Sequence, residues 1–368
     1  MPDDRRGGEN MRLYVASTSS FAGKTLVALA LAKLWALEGV AVGYVKPLGK
    51  IPVSEGGRVV DEDASFLAGE LGLPGPPEAI CPVVITQDLV MAAYRGEPLR
   101  LKERVLRAAS EAASRTGVLL IGGTANLRDG TFLGISPLAL ISELDCQVLL
   151  VDRFSGEKSM DQILWAAGVL RERFLGIVFN RVAKAQEAFL RESVRPYFEA
   201  RNLRVFGAIP SDPVLDSVSV KTLAERLSAD VASGGERLDT MIERFCVGAM
   251  DVDSALRVFR RIPRKAVITG GHRADIQLAA LETETRCLVL TGGVVTNELI
   301  LSRAQECGVP ILVVQEDTLF TVEKFENLMG RLRIREKEKI ERGVNLVRDN
   351  VDTAGILSAL RGGGPGRR

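Results

Sequence analysis

Short, nearly unbroken apolar runs alternate along this chain with longer segments whose apolar positions recur at helical spacing. In the first half the runs fall at 12–17, 40–45, 118–123, 146–152, 175–180 and 205–210. Runs this short, apolar at odd and even positions alike, predict strands covered on both faces. Helical patterns separate most of them, at 26–37, 59–71, 99–115, 162–173 and 187–200, while the Pro-rich 73–82 predicts a loop. Strands alternating with helices predict an α/β fold: a mostly parallel sheet with helices on both faces and ligands at the carboxyl ends of its strands.

The pattern breaks at 228–236, Ser-Ala-Asp-Val-Ala-Ser-Gly-Gly-Glu, whose small polar residues predict a domain boundary. Beyond it the alternation restarts, with strands at 265–271, 286–293 and 309–315 and helices at 274–282, 297–307 and 321–330. The expected organisation is a disordered 1–10, a first α/β domain over 11–230, a second and smaller one over 238–347, and a disordered Gly-rich tail at 362–368. The mixed-sign charge run that starts at Arg331 reads as the solvated face of a helix.

Composition narrows the function classes. The chain has 368 residues, with 48 basic against 47 acidic side chains and a net charge of +1. No global field favours nucleic acid or an anionic membrane. No apolar run is long enough to span a bilayer, and the first residues lack the apolar segment of a secretion signal. The five cysteines are scattered without a C-x-x-C pair, as expected of small core residues in a reducing cytoplasm. A single histidine, His272, leaves no material for a His-rich metal site or for a triad centred elsewhere.

The chemistry concentrates at the end of the first strand. Ser17-Thr-Ser-Ser-Phe-Ala-Gly-Lys-Thr25 joins that strand to a helix whose first turn carries Gly23, Lys24 and Thr25. A small-residue turn leading into a helix N-terminus has the architecture of a phosphate-binding loop, in which backbone N–H groups face the anion, a lysine reaches the outer phosphates and a hydroxyl holds Mg²⁺; the alternative is an ordinary β–α turn with a surface lysine. The nucleotide-contacting set is then Ser19, Ser20, Ala22, Gly23, Lys24, Thr25 and Leu26. The usual spacing places a first glycine at position 18, where this chain has Thr18. Lys46 ends the second strand and points either into the ligand crevice or along the surface. Asp61, Glu62 and Asp63 open a helix, where carboxylates suit the helix dipole and are also candidate Mg²⁺ ligands.

In that order, 17–25, Tyr44-Val-Lys-Pro47, Asp61-Glu-Asp63, the glycines 122 and 123, Phe179-Asn180 and Ala208-Ile-Pro210 resemble dethiobiotin synthetase-like P-loop proteins. Among these they resemble the N-terminal domain of long bacterial phosphate acetyltransferases. The resemblance implies ATP and Mg²⁺ as cofactors, Lys24 and Lys46 as catalytic cations, Thr25 and Asp63 as metal ligands, and Asn180 as the residue that reads the base. Two departures stand out. Ser17 replaces the first glycine of the family's loop, and Gly122 stands where such synthetases place a Mg²⁺-coordinating glutamate. Loss of that carboxylate weakens metal positioning and phosphoryl transfer more than nucleotide binding.

The second half resembles a DRTGG domain. The residues that carry this are Val247-Gly-Ala-Met250, the stretch 267–281, Leu290-Thr-Gly-Gly293 and Asp317-Thr318, with His272 where an acidic residue is more usual. The resemblance implies ligand sensing or assembly. Gly270, Gly271, Arg273, Gly292 and Gly293 then mark a second small ligand or a subunit contact, the alternative being tight turns that need φ > 0. Three functions follow as expectations. The first is a regulatory nucleotide-binding protein, homo-oligomeric and cytoplasmic. The second is an ATP-dependent ligase forming an acyl phosphate on a carboxylate or carbamate. The third, phosphate acetyltransfer, requires a separate catalytic subunit, since the chain ends without room for the transferase domain.

Overall fold

Six strands assemble the first sheet: β1 (Met11–Ser17), β2 (Val42–Val45), β3 (Val118–Gly122), β4 (Gln147–Asp152), β5 (Phe174–Val182) and β6 (Val205–Pro210). They are all parallel and run in the order β6-β5-β4-β1-β3-β2. This computed structural model describes residues 11–331 and 337–362, so the expected tails at 1–10 and 363–368, and 332–336 of the charge run, lie outside the described residues. The strands have the double-sided burial that their unbroken apolar character demands: Leu13 to Ala16, Val118 to Ile121 and Val148 to Val151 are at most 1% exposed. β1 lies between β3, with Val15 opposite Gly122, and β4, with Ser17 opposite Val151. The chain leaves β1 towards β2 on one side and later returns to β4 on the other. That reversal opens a crevice at the carboxyl end of β1.

Helix α1 (Lys24–Leu37) packs most of its length into the sheet, with Leu26 to Ala32, Leu34 and Trp35 buried. It is apolar nearly all round because it is covered nearly all round. α2 (Glu62–Leu71) starts at Asp61, whose side chain accepts from Ala64 N–H as an N-cap. α3 (Leu101–Ala113) and α4 (Glu157–Leu170) complete the pattern expected for these segments. The Pro-rich stretch differs from expectation by holding a short helix, Pro77–Ile80, because a proline at the first helical position has its φ preset and needs no N–H partner.

The chain forms two compact units, Met1–Ser211 with Ile340–Arg368, and Asp212–Lys339. The second contains β7 (Asp230–Ser233), β8 (Arg244–Val247), β9 (Lys265–Gly270), β10 (Thr285–Thr291) and β11 (Ile311–Val313), in the order β7-β11-β10-β9-β8. The four from β8 to β11 are parallel and β7 is an antiparallel edge. Alternate residues feed two cores. Ala266, Ile268, Val289 and Leu312 join α5 (Val220–Leu227) and Phe325. Val267, Leu288, Leu290 and Val313 join α6 (Val252–Arg261), α7 (Ala274–Leu281) and α8 (Glu298–Cys307). Phe325 lies on α9 (Thr318–Arg331).

The division differs from the one composition implied. The Ser/Gly-rich stretch is strand β7, since an edge strand needs main-chain hydrogen bonds more than apolar side chains, and Gly234 turns the chain with φ 74°. The C-terminal helices α10 (Lys337–Asn350) and α11 (Thr353–Arg361) return to the first sheet. There Asp352 N–H donates to Phe206 O (2.8 Å) and Trp35 Nε1–H to Thr353 O (3.1 Å). In the charge run, Lys339 is buried and donates to Ser217 O (2.7 Å), so the helix is not solvated all along that face. Cys81, Cys146, Cys246 and Cys287 are buried free thiols and Cys307 is exposed.

The return of the C-terminal segment is sterically exacting at Gly207, where a Cβ would lie 2.1 Å from Asn350 O and 2.7 Å from Val351 Cα. Gly207→Ala is expected to destabilise the first unit by about 2 kcal/mol, as overpacking against backbone does, and to lower its melting temperature. An unchanged melting curve by calorimetry would contradict this packing.

Candidate functional site

β1 ends at Ser17 and α1 begins at Lys24, so the six residues between them span the crevice. Gly23 precedes the helix at φ 97°, a region that favours glycine. A Cβ there would lie 1.8 Å from Asn180 Nδ2, and that amide donates to Ala22 O at 2.8 Å. Gly23 is thus required twice, for its torsion and for the space that Asn180 fills. Val27 N–H bonds to Gly23 O (3.1 Å), which leaves the N–H groups of Lys24, Thr25 and Leu26 at the open, positive end of the helix.

Hydroxyl groups tie the rest of the loop down. Ser17, 1% exposed, has Oγ within 2.8 Å of Ser19 O and 3.0 Å of Ala125 O, to either of which its one proton can be donated. The same oxygen accepts from Lys24 Nζ at 2.6 Å. Thr18 Oγ1 donates to Asp152 Oδ2, also at 2.6 Å. Ser17 therefore does more than occupy a glycine position: its side chain links the loop, the segment after β3 and the lysine.

Burial, with a contribution from nearby Lys46, lowers the Lys24 ammonium to about 8, although Asp63 and Asp129 oppose the shift. Lys46 behaves in the opposite way. Burial alone would lower it, but Asp63 and Asp61 outweigh that and raise its ammonium above the ordinary value. Its Nζ lies 2.7 Å from Asp61 Oδ1 and 3.2 Å from Asp63 Oδ2. Lys46 is thus a buried, paired cation and not a side chain lying along the surface.

The three acidic residues divide the work. Asp61 is fully buried and also accepts from Ile51 N–H and Ala64 N–H, both at 3.0 Å. Gly49 makes room for it, since a Cβ there would meet Asp61 Cβ at 2.5 Å. Asp63 keeps a side chain 27% exposed beside Lys46, so of the two aspartates it is the more exposed. Asn180 is 2% exposed with its amide committed to Ala22, which makes it a support of the loop from below.

At Gly122 a Cβ would lie 2.1 Å from Tyr44 Oη. The space that a residue-122 side chain would need first is filled by a phenol on β2. Burial, together with Asp63 and Asp61, raises the Tyr44 hydroxyl well above its ordinary range, so a neutral group stands there.

In the second unit the glycines have internal reasons. A Cβ on Gly271 would strike Val294 O at 2.1 Å, and Gly293, at φ 67°, would meet Gln315 Oε1 at 2.5 Å. The His272 ring lies against Gly270, while Gly292 faces open space. Gln277, fully buried, donates from Nε2 to both Gly270 O (3.0 Å) and Gly271 O (3.1 Å). Arg273 forms a two-point pair with Asp275, each bond 3.0 Å, and also donates to Met250 O. Gly292, at φ 85°, and Gly293, at φ 67°, fit the tight-turn reading, whereas Gly271 has no positive φ and is required by the approach of Val294.

Sequence reasoning missed Asp152, Asp129 and the position of Tyr44. Asp129 accepts from Ala125 N–H, Asn126 and Lys50, and so fixes the segment after β3. A carboxylate directly ending a strand next to the loop strand was the available signal for Asp152; nothing in the chain pattern pairs Tyr44 with Gly122.

Residues 11–219 match the family described as an AAA domain, and residues 222–328 match the DRTGG domain. The chain is 23% identical over 362 residues to a phosphate acetyltransferase of Pseudomonas putida, covering 93% of this chain and 50% of that protein. It thus spans about half the length of the phosphate acetyltransferases it matches. It is 25% identical over 208 residues to the ATP-dependent dethiobiotin synthetase BioD of Methanococcus vannielii, covering 54% of this chain and 92% of that one. Among solved structures, a nucleotide-binding protein in complex with ADP from Archaeoglobus fulgidus aligns at 16% identity, TM-score 0.33, over 55% of this chain and 82% of its own. No helix among the described residues is long and apolar enough to cross a membrane. With its first 200 or so residues matched from β1 to beyond β6, the chain belongs to the P-loop AAA domain family and carries a DRTGG domain after the P-loop domain.

Proposed function

We propose that this protein binds ATP with Mg²⁺ at the loop 17–25 and acts as a regulatory module related to the N-terminal region of phosphate acetyltransferases, without rapid turnover of the nucleotide. The observation that carries the proposal is Lys24: a buried ammonium at a helix N-terminus whose hydrogen-bond partner is the neutral Ser17 hydroxyl. A buried cation with a neutral partner is under-compensated, and a polyphosphate supplies the missing charge. The N–H groups of the first helical turn favour the same anion.

Thr25 in that first turn and the partly exposed Asp63 are the donors that fit Mg²⁺, a hard cation bound through one or two protein oxygens and phosphate. Mg²⁺ would supply charge neutralisation on the phosphates. Lys46, held charged by Asp61 and Asp63, adds a second fixed cation facing Lys24. Tyr44 argues for retention over turnover: a neutral phenol fills the space beside Gly122, so the site lacks one anionic anchor for the metal. The ligase reading draws on Lys24 and Lys46 together, since two cations suit the charge that develops on a transferring phosphoryl group. Fast ATP turnover by the purified chain on its own, or with a carboxylate or carbamate acceptor, would favour it.

Lys24→Ala is expected to weaken Mg·ATP binding at least about tenfold, the value of one charge-assisted hydrogen bond, by isothermal calorimetry. Equal affinities for the two proteins, or none for the wild type, contradict the proposal.

The same lysine sets a pH dependence. Its free-state pKa of about 8 is depressed, and a bound phosphate raises it. Below that pH Lys24 is already charged and affinity is level. Above it each binding event takes up a proton, so affinity falls by up to about tenfold per pH unit. Calorimetry in buffers of different ionisation enthalpy is expected to show net proton uptake at about pH 9 and almost none from Lys24 at about pH 7. No uptake at the higher pH would contradict the assignment.

Gly122→Glu alone is expected to fold poorly, because Tyr44 Oη stands 2.1 Å from the new Cβ. Adding Tyr44→Ala makes room, and the double variant is expected to hydrolyse ATP at least about tenfold faster than wild type in a phosphate-release assay. A well-folded double variant with wild-type turnover would show that the carboxylate is not what limits the reaction.

A further inference from the structure

Asp152 has no role in the site as assigned so far. It ends β4, is 1% exposed, and has one oxygen, Oδ2, accepting from Thr18 Oγ1 at 2.6 Å. Its other oxygen, Oδ1, is buried and has no hydrogen-bond partner among the described residues. A carboxylate buried in this way is costly, and a site of that cost calls for a reason. Thr18 occupies the position at which the usual phosphate-loop spacing places its first glycine.

We propose that Thr18 and Asp152 form a tether that sets the shape of the phosphate loop, with Asp152 a positioning residue for nucleotide binding that acts through the Thr18 hydroxyl. The inference rests on the nucleotide reading of the loop and extends it to residues outside the motif. Three observations carry it. The Thr18 hydroxyl has one proton, and its bond to Asp152 commits that proton away from any phosphate. Thr18 can therefore face an anion only through its backbone N–H, and the side chain serves as an anchor.

Phe21, three residues further on, sits at φ 57°, a conformation that bulky residues rarely adopt and that persists only where the surroundings over-determine it. Fixed points on both sides of Phe21 meet that need. Thr18 is tied to β4 before it, and Ala22 O is held by Asn180 of β5 after it. β4 and β5 are adjacent strands, with Asp152 opposite Phe179, so both anchors come from one strand pair on the same side of β1. The bond is short and charge-assisted, which is the kind that holds a backbone in one geometry.

The test uses Thr18→Val, which keeps the shape and removes the hydroxyl, Thr18→Ser, which restores it, Asp152→Ala, and the double variant Thr18→Val with Asp152→Ala. Two measurements are made on the full chain. Amide hydrogen exchange without nucleotide is expected to be faster at residues 18–24 in Thr18→Val and Asp152→Ala, and unchanged in Thr18→Ser, with global melting preserved in all. Mg·ATP affinity by calorimetry is expected to fall about tenfold in each loss variant, to fall no further than about twofold more in the double variant, and to stay within about threefold in Thr18→Ser. Wild-type loop exchange in Thr18→Val and Asp152→Ala overturns the tether whether or not nucleotide binds. Additive losses in the double variant overturn the claim that Asp152 acts through Thr18. A wild-type chain that binds no ATP but whose loop exchange rises in the two loss variants removes the nucleotide reading and leaves the tether standing. If Asp152→Ala fails to fold, Thr18→Val compared with Thr18→Ser decides the matter, because both keep the Asp152 carboxylate and only one keeps the hydroxyl that it accepts from.

Discussion

Everything at the mouth of the first sheet is arranged around one under-compensated charge, the ammonium of Lys24. It is buried enough to be pulled down to about 8, yet its hydrogen-bond partner is a serine hydroxyl. A buried lysine with a carboxylate partner would be finished; this one is left with charge to share. Ser17, Gly23 and Asn180 hold the geometry in which that charge and the open N–H groups of α1 converge. Lys46 shows the contrast on the next strand but one: two aspartates satisfy it, and it is raised where Lys24 is lowered.

On the proposed function, the neighbouring residues keep that geometry while limiting reaction. Tyr44 and Gly122 are complementary, since the phenol and a residue-122 side chain compete for one space. A neutral hydroxyl stands there, and Asp63 is the more exposed of the two carboxylates that pair with Lys46. This is the arrangement from which we propose that the site holds a triphosphate more readily than it transfers a phosphoryl group. The second unit enters after Ser211 and leaves at Lys339, so the C-terminal helices complete the P-loop domain and the DRTGG region sits within its chain path.

Much of this was legible in the sequence, and the reason differs by element. The six strands of the first sheet were readable because a strand covered on both faces must be apolar throughout, and only a few short runs in the chain are. The phosphate loop was readable because Gly-Lys-Thr after a strand has a narrow structural meaning, and Gly23 meets both of its requirements. The domain boundary was less legible: β7 is an edge strand held by main-chain bonds, so its Ser/Gly-rich composition imitates a linker. The return of α10 and α11 was hidden because contacts such as Trp35 with Thr353 join residues far apart in the chain. The Tyr44–Gly122 and Thr18–Asp152 pairs were hidden for the same reason, being products of strand order and register and not of spacing.

The central claim is that Lys24 and the loop around it hold a nucleoside triphosphate. Native mass spectrometry of the full chain, with Mg·ATP added in excess and then removed by buffer exchange, tests it most directly. The account requires one retained Mg·nucleotide per P-loop domain in the wild type and its loss in Lys24→Ala. Identical spectra for the two proteins, both without nucleotide, would contradict it.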